Sequence, residues 1–334
     1  MHVNVIFRRL VLRISILAVG LAAVATAALA ADGADIRIAY LFPGPAECPI
    51  DTTSPTTIAF QRRLQEAGFG SAEQKQYCYL TQADVPARIR EILDSKPSIL
   101  LIWASANAAS AVKEVTSTLP VVFVDVADPV KMGLVKSLAH PGTNMTGISN
   151  IEEELLAKRI EILKEALPQT NRLAVLSNLT HPEQSVYLRV IQEAARGLRI
   201  ETRTYQVETQ PDLAGAFAAM SRDRMQAVIL LSNAWFYPNR VEIVQLSTTH
   251  RIPQIFGNTG YADAGGLLTY GPNLSGMSLE AAAYLVKILK GAKPGDLPVE
   301  RPTQFDFIVN QRAARAIGVT VSPAALLRAT KVIE

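Results

Sequence analysis

From residue 35 onward, short runs of β-branched and aromatic residues alternate with stretches whose apolar positions recur at helical spacing. That is the pattern of a parallel sheet covered by helices on both faces. Predicted strands are 36–42, 76–80, 99–103 and 121–126; the last two read as continuous apolar runs, as strands buried on both faces do. Between them, Ser54 and Pro55 look like an N-cap and first helical position. The helix they open ends near Gly68, whose neighbourhood Gly68-Phe69-Gly70 reads as a C-cap. Residues 84–94 and 107–117 are the next two predicted helices.

A second set follows residues 145–149. Ile151, Leu155, Leu156, Ile160, Leu163 and Leu167 make 151–167 an amphipathic helix, with Glu154 and Lys158 expected to pair on its wet side. Strands at 173–177, 200–205, 227–232 and 254–256 then alternate with helices at 183–196, 212–222 and 239–250. After them come 267–270, a helix over 274–289, a Pro- and Gly-rich stretch at 290–302, a last strand at 305–309 and two short terminal helices. Two doubly wound α/β lobes leave a cleft between them. In such sheets ligands sit beyond the carboxyl ends of the strands, so functional residues belong on the loops that follow strands.

Composition narrows the function. Of 334 residues 49% are hydrophobic and 19% charged, which excludes a disordered chain. The net charge of +3 resides in Arg8, Arg9 and Arg13, because residues 1–30 contain no acid. The rest of the chain is balanced and lacks the concentrated basic face that nucleic-acid binding needs. The same three arginines introduce an apolar run, 14–29, that ends in Ala28-Leu29-Ala30. This pattern predicts a cleavable signal peptide over 1–30, cut before Ala31, and a periplasmic protein. Nothing later in the sequence has the length and hydropathy of a membrane span.

Export changes how the two cysteines read. Cys48 follows the first predicted strand and Cys78 lies near the end of the second, so neighbouring strands would bring them together. A disulfide, two buried thiols, and the acid–base pair of a cofactor-independent racemase all remain open. Other chemistry is missing. No G-x-S-x-G, H-E-x-x-H or G-x-x-x-x-G-K-[ST] motif occurs, and His140, His181 and His250 have no ligand spacing. No catalytic residue, metal or cofactor is expected.

One segment is distinctive: Asp128-Pro129-Val130, Gly133-Leu134-Val135, Ser137-Leu138-Ala139, Pro141-Gly142-Thr143-Asn144 and Thr146-Gly147. Together with residues 264–273 and Lys290-Gly291-Ala292-Lys293-Pro294, it resembles the ABC-transporter substrate-binding proteins of the tryptophan/tyrosine-uptake-like family. Thr143 departs from the pattern, since members usually carry a second Gly there. The resemblance implies a type I periplasmic binding protein: two Rossmann-like lobes joined by a three-crossover hinge and no catalytic step. It implies an N-terminal lobe of 31–147 plus about 272–300, and a C-terminal lobe of 148–271 plus about 301–334. The crossovers are expected near 144–150, 270–273 and 297–303, where Gly and Pro concentrate.

The expected function is to capture a small polar solute, an amino acid or an aromatic or small carboxylate, by hinge closure and to deliver it to an ABC permease. A monomer is expected. The alternatives are a sensor module that signals to a membrane receptor, and a secreted enzyme such as a racemase. Candidate ligand residues are those after strands. In the first lobe they are Phe42 and Pro43, then Ala104, Ser105 and Asn107 at a helix start suited to a carboxylate, and Asp128, a partner for an ammonium group or a cap for the turn before Gly133. In the second lobe they are Asn178, Trp235 and Tyr261, the two rings being suited to stack on a planar solute. The stretches 178–181, 232–236 and 258–261 face the same gap, with Asp263 a weaker amine partner.

Overall fold

A computed structural model describes residues 35–44, 52, 54–178, 184–231 and 234–334. The first predicted signal, residues 1–30, lies outside the described residues. The chain opens with β1 (Arg37–Pro43), α1 (Pro55–Glu66), β2 (Glu73–Tyr79), α2 (Val85–Asp94), β3 (Ile99–Trp103), α3 (Ala106–Val115), β4 (Val121–Ala127) and β5 (Met145–Asn150). These five strands form one sheet, all parallel, in the order β2-β1-β3-β4-β5. β5 was not among the predicted strands. It extends the sheet to Asn150, past the expected boundary at 147.

The second sheet contains β6 (Arg172–Asn178), β7 (Glu201–Val207), β8 (Ala227–Leu230), β9 (Gln254–Phe256), β10 (Leu268–Pro272), β11 (Phe305–Asn310) and β12 (Lys331–Ile333). Its order is β12-β11-β10-β9-β8-β6-β7, parallel except where β10 meets β11. Its helices are α4 (Glu152–Ala166), α5 (Gln184–Gly197), α6 (Asp212–Arg222), α7 (Arg240–Thr249), the short α8 (Gly260–Asp263), α10 (Gln311–Ile317) and α11 (Pro323–Arg328). The remaining helix, α9 (Leu274–Leu289), follows the second sheet in sequence yet packs with α1 against the first. The terminal β12 was also unforeseen; three residues are too short to show a period.

Each sheet is sandwiched between two apolar layers. Ile89, Ala109 and Val112 cover one face of the first sheet, and Phe60, Leu64, Ala281 and Leu285 cover the other. In the second, Leu156, Leu163, Ile191 and Ile317 oppose Phe217, Met220, Ile243 and Val244. Burial on both faces is what continuous apolar strands such as β3 encode.

Three chain passes join the sheets: β5 to α4, β10 to α9, and 297–305. The third runs beside β5, with Ser149 N–H donating to the Glu300 carbonyl at 2.9 Å and Glu300 N–H to Gly147 at 3.0 Å. Gly147 has φ +151°, and a Cβ there would lie 1.9 Å from the Phe123 carbonyl oxygen, so this position admits only glycine. The second and third passes are tied by Asn273, whose N–H donates to Gln304 and whose side chain donates to Asp306. Thr143, the departure from the family pattern, uses its hydroxyl to bond the Leu134 carbonyl at 3.0 Å and to accept Met145 N–H.

Candidate functional site

In the first sheet all strands run the same way, so Phe42, Pro43, Tyr79, Ala104, Asp125 and Asp128 come to one end of it. Phe42 is half-buried and stacks on Tyr40, ring centres 6.2 Å apart, and Pro43 closes β1. Ala104 turns the chain with φ +51° while its N–H donates to the Val124 carbonyl at 2.8 Å. Ser105 then caps α3. Its side-chain oxygen accepts Ala108 N–H at 3.1 Å, and the residue is only 4% exposed. The first-turn amides of α3, Asn107 among them, have no intrahelical acceptor. This start of a ten-residue helix favours negative charge.

Beside Ser105 lies Tyr79, whose buried hydroxyl has no hydrogen-bond partner. Burial pushes its pKa up to about 12, the Ser105 side chain opposing. Asp128, the expected ammonium partner or turn cap, is exposed and adopts the turn role: its Oδ1 accepts Lys131 N–H at 3.0 Å.

Sequence reasoning missed the charged group that lies deeper. The sequence pattern makes 121–126 an apolar run, but Asp125 interrupts it, at a bulge where the pairing with β5 shifts register between Val124 and Val126. Its φ is +60°, and the Asn150 side-chain amide donates to its Oδ1 at 3.1 Å. Burial raises its pKa to about 6; the Asn150 bond and Arg159 pull it down, and the Glu152 carboxylate pushes it up. Glu152 and Arg159, two turns apart on α4, form a buried bidentate ion pair. Arg159 Nε also donates to the Tyr270 carbonyl at 2.8 Å, and a Cβ at Gly257 would strike the guanidinium at 2.4 Å. The available signal was Arg159 itself, placed among Leu155, Leu156, Ile160 and Leu163 on the apolar stripe. Glu154 does not pair with Lys158 as expected: it reaches Arg301 in the third pass, while Lys158 turns to Glu161 at i,i+3.

At the second sheet, Asn178 is buried at the end of β6 and its amide donates to the Val207 carbonyl at 3.0 Å. Trp235 is half-buried and meets Phe236 edge-on at 5.2 Å; its carbonyl accepts the Asn239 amide at 2.8 Å. Tyr261 is buried, stacked on Phe256 at 4.1 Å and edge-on to Tyr237. Burial raises its pKa well above the usual tyrosine range. Asn258 accepts Gly260 N–H, and Asp263 is exposed, lining a surface groove with Asn310 and Arg312. The structure therefore gathers Ala104, Ser105, Asn107, Tyr79 and Asp125 at one sheet end, and holds Asn178 and Tyr261 in internal packing. His181 and residues 232–233 lie outside the described residues.

Cys78 is disulfide-bonded; Cys48, the chain's other cysteine, lies outside the described residues. Among the described residues no group of His, Cys, Asp and Glu could hold a metal ion, and no helix is long and apolar enough to cross a membrane.

Residues 51–333 match the model of a family described as ABC transporter substrate binding protein. The chain is 22% identical over 261 residues to a tyrosine-binding protein of Clostridioides difficile (strain R20291), covering 77% of this chain and 75% of that one. In fold it is similar to an ABC domain from Streptococcus pneumonia solved in complex with L-Trp. The TM-score is 0.76 and the identity 20%, over 89% of this chain and 99% of that one. It is also similar to a conserved domain protein from Vibrio cholerae, with TM-score 0.75 and identity 22% over the same shares. The two α/β sheets are those of a type I periplasmic binding protein, and the chain belongs to the family of ABC transporter substrate-binding proteins.

Proposed function

We propose that the protein is the periplasmic receptor of an ABC importer, a monomer that captures an amino acid, aromatic ones foremost, in the cleft between its lobes and presents it to a permease. Family membership supplies the solute-binding role, and a relative named for tyrosine and a fold neighbour holding L-Trp support the ligand class. The observation that carries the reading is the start of α3. There the buried Ser105 hydroxyl, beside the buried Tyr79 hydroxyl, and first-turn amides without intrahelical acceptors form a receptor for a carboxylate. Phe42, Pro43, Ala104 and Asn107 complete this wall, and Trp235 bounds the opposite one, Asn178 and Tyr261 being committed to internal packing there. Rotation about the three passes closes the lobes on the solute. No bond is made or broken.

Thermal shift and calorimetry with L-tryptophan, L-tyrosine and the other amino acids test it. A ligand at 100 times its Kd adds about 2.7 kcal/mol to stability. Ser105→Ala is expected to weaken binding about tenfold, the cost of one hydrogen bond to a charged group. Wild-type protein that responds to no amino acid refutes the ligand class. Mass analysis of exported protein tests the leader, with Ala31 the expected first residue.

A further inference from the structure

Asp125 and Asp128 follow the same strand three residues apart, but only Asp128 has its carboxylate employed in a local turn. Asp125 is the extra residue of the β4 bulge, a feature that re-aims a side chain at the end of a strand. Among the described residues it receives one side-chain hydrogen bond, from Asn150 to Oδ1, although a carboxylate can accept several. Arg159 favours its ionised form only weakly against burial. The Arg159 guanidinium is already bidentate with Glu152 and bonded to the Tyr270 carbonyl. Burial and the Glu152 charge accordingly disfavour the ionised form.

The neighbourhood says what would relieve this carboxylate. Val124, the residue before it, accepts the Ala104 N–H, so Asp125 stands next to the backbone that carries Ser105 and the start of α3. A receptor for an anion and an uncompensated anion thus adjoin at the same sheet end. An α-amino acid carries the complementary pair, carboxylate and ammonium, on one carbon. We infer that Asp125 receives the ammonium group of the ligand, so that the cleft selects α-amino acids over the same molecules lacking the amine. This rests on the reading of the α3 start as the carboxylate receptor.

The test uses the full exported chain, wild type and Asp125→Asn, titrated calorimetrically with L-tryptophan and L-tyrosine and with their des-amino analogues, indole-3-propionate and 3-(4-hydroxyphenyl)propionate. Asparagine tolerates the left-handed backbone and can still accept the Asn150 bond, so the fold is kept; Asp125→Gly, which also tolerates that backbone but has no side-chain acceptor, is the second variant. The substitution is expected to cost the amino acids roughly 10- to 100-fold in affinity. The des-amino acids should bind wild type weakly and the variants within about threefold of wild type. Equal loss for both ligand sets, or no loss for either, overturns the assignment. A wild type that prefers the des-amino acids overturns it while leaving the carboxylate receptor standing, whereas a wild type that binds none of the four refutes the aromatic amino-acid reading and this inference together.

Discussion

At the ends of the first sheet's strands, polar groups have bonding capacity left over: the Tyr79 hydroxyl lacks a full hydrogen-bond partner, and Asp125 has a carboxylate with a single side-chain donor. At the ends of the second sheet's strands the corresponding groups are committed, Asn178 to a neighbouring strand and Tyr261 to a stack with Phe256. The same contrast holds for charge. Arg159 and Glu152 satisfy one another below the second lobe's surface, while Asp125 a short distance away is left wanting a partner. The second sheet's own unpartnered buried atoms, Gln254 Oε1 and Thr269 Oγ1, lie within β9 and β10 rather than at their carboxyl ends. In the proposed reading the first lobe takes the polar head group and the second supplies the apolar wall.

The largest expected effect tests the committed side. Arg159→Met leaves the Glu152 carboxylate buried without its partner and the Tyr270 carbonyl without a donor, and should lower unfolding stability by about 3–5 kcal/mol. Urea unfolding followed by circular dichroism measures it. Adding Glu152→Gln should return part of the loss, because the orphaned charge rather than the missing attraction dominates the cost. A loss below about 1 kcal/mol in Arg159→Met would erase the contrast.

Next comes the uncommitted side, where the sign reverses. The Asp125 carboxyl titrates at about 6 in the folded chain, above the roughly 3.9 of an unfolded one. The protonated form therefore favours folding. That contribution is complete below about pH 4 and is lost as the pH rises through about 6. Above that, ligand-free protein carries a penalty on the order of 3 kcal/mol. Asp125→Asn should raise the melting temperature of the ligand-free protein at pH 7.5 and leave it nearly unchanged at pH 4. Destabilisation at pH 7.5 would mean the carboxylate is satisfied after all. A gain in stability coupled to a loss of amino-acid affinity is the mark of strain kept for function. Smaller again, Ser105→Ala removes an N-cap and should cost about 1 kcal/mol in the ligand-free protein, alongside its effect on binding.

The alternation of apolar runs and amphipathic stretches was enough to place the strands and helices of both lobes, because each sheet is buried on two faces and writes itself as unbroken runs. It did not disclose β5. Met145-Thr146-Gly147-Ile148-Ser149-Asn150 has a glycine where a backbone carbonyl approaches, and its polar residues Thr146 and Ser149 are satisfied by the third pass, which is 151 residues distant in sequence. The site was legible by rule for Ser105, since strand-end helix starts follow from topology. Asp125 was not, because a bulge that turns a side chain out of a strand depends on the partner strand's register. Local spacing likewise misdirected Glu154.

That misdirection supplies the smallest effect and the sharpest limit on the comparison. Glu154 and Arg301 join α4 to the third pass at 3.3 Å, and both side chains are more than half exposed. Water and salt screen such a pair, and holding two long side chains in one geometry offsets what attraction remains. Glu154→Ala should therefore change stability by less than about 1 kcal/mol and lose even that difference in 0.5 M salt. The pair does span the hinge, so its influence on ligand affinity reads differently from its influence on folding. If the lobes are governed by the buried groups at the strand ends, L-tryptophan affinity of Glu154→Ala stays within about twofold of wild type. A larger, salt-sensitive shift would move part of the control of closure from the sheet ends to this surface charge, and the division of labour between the two lobes would have to include the pass that connects them.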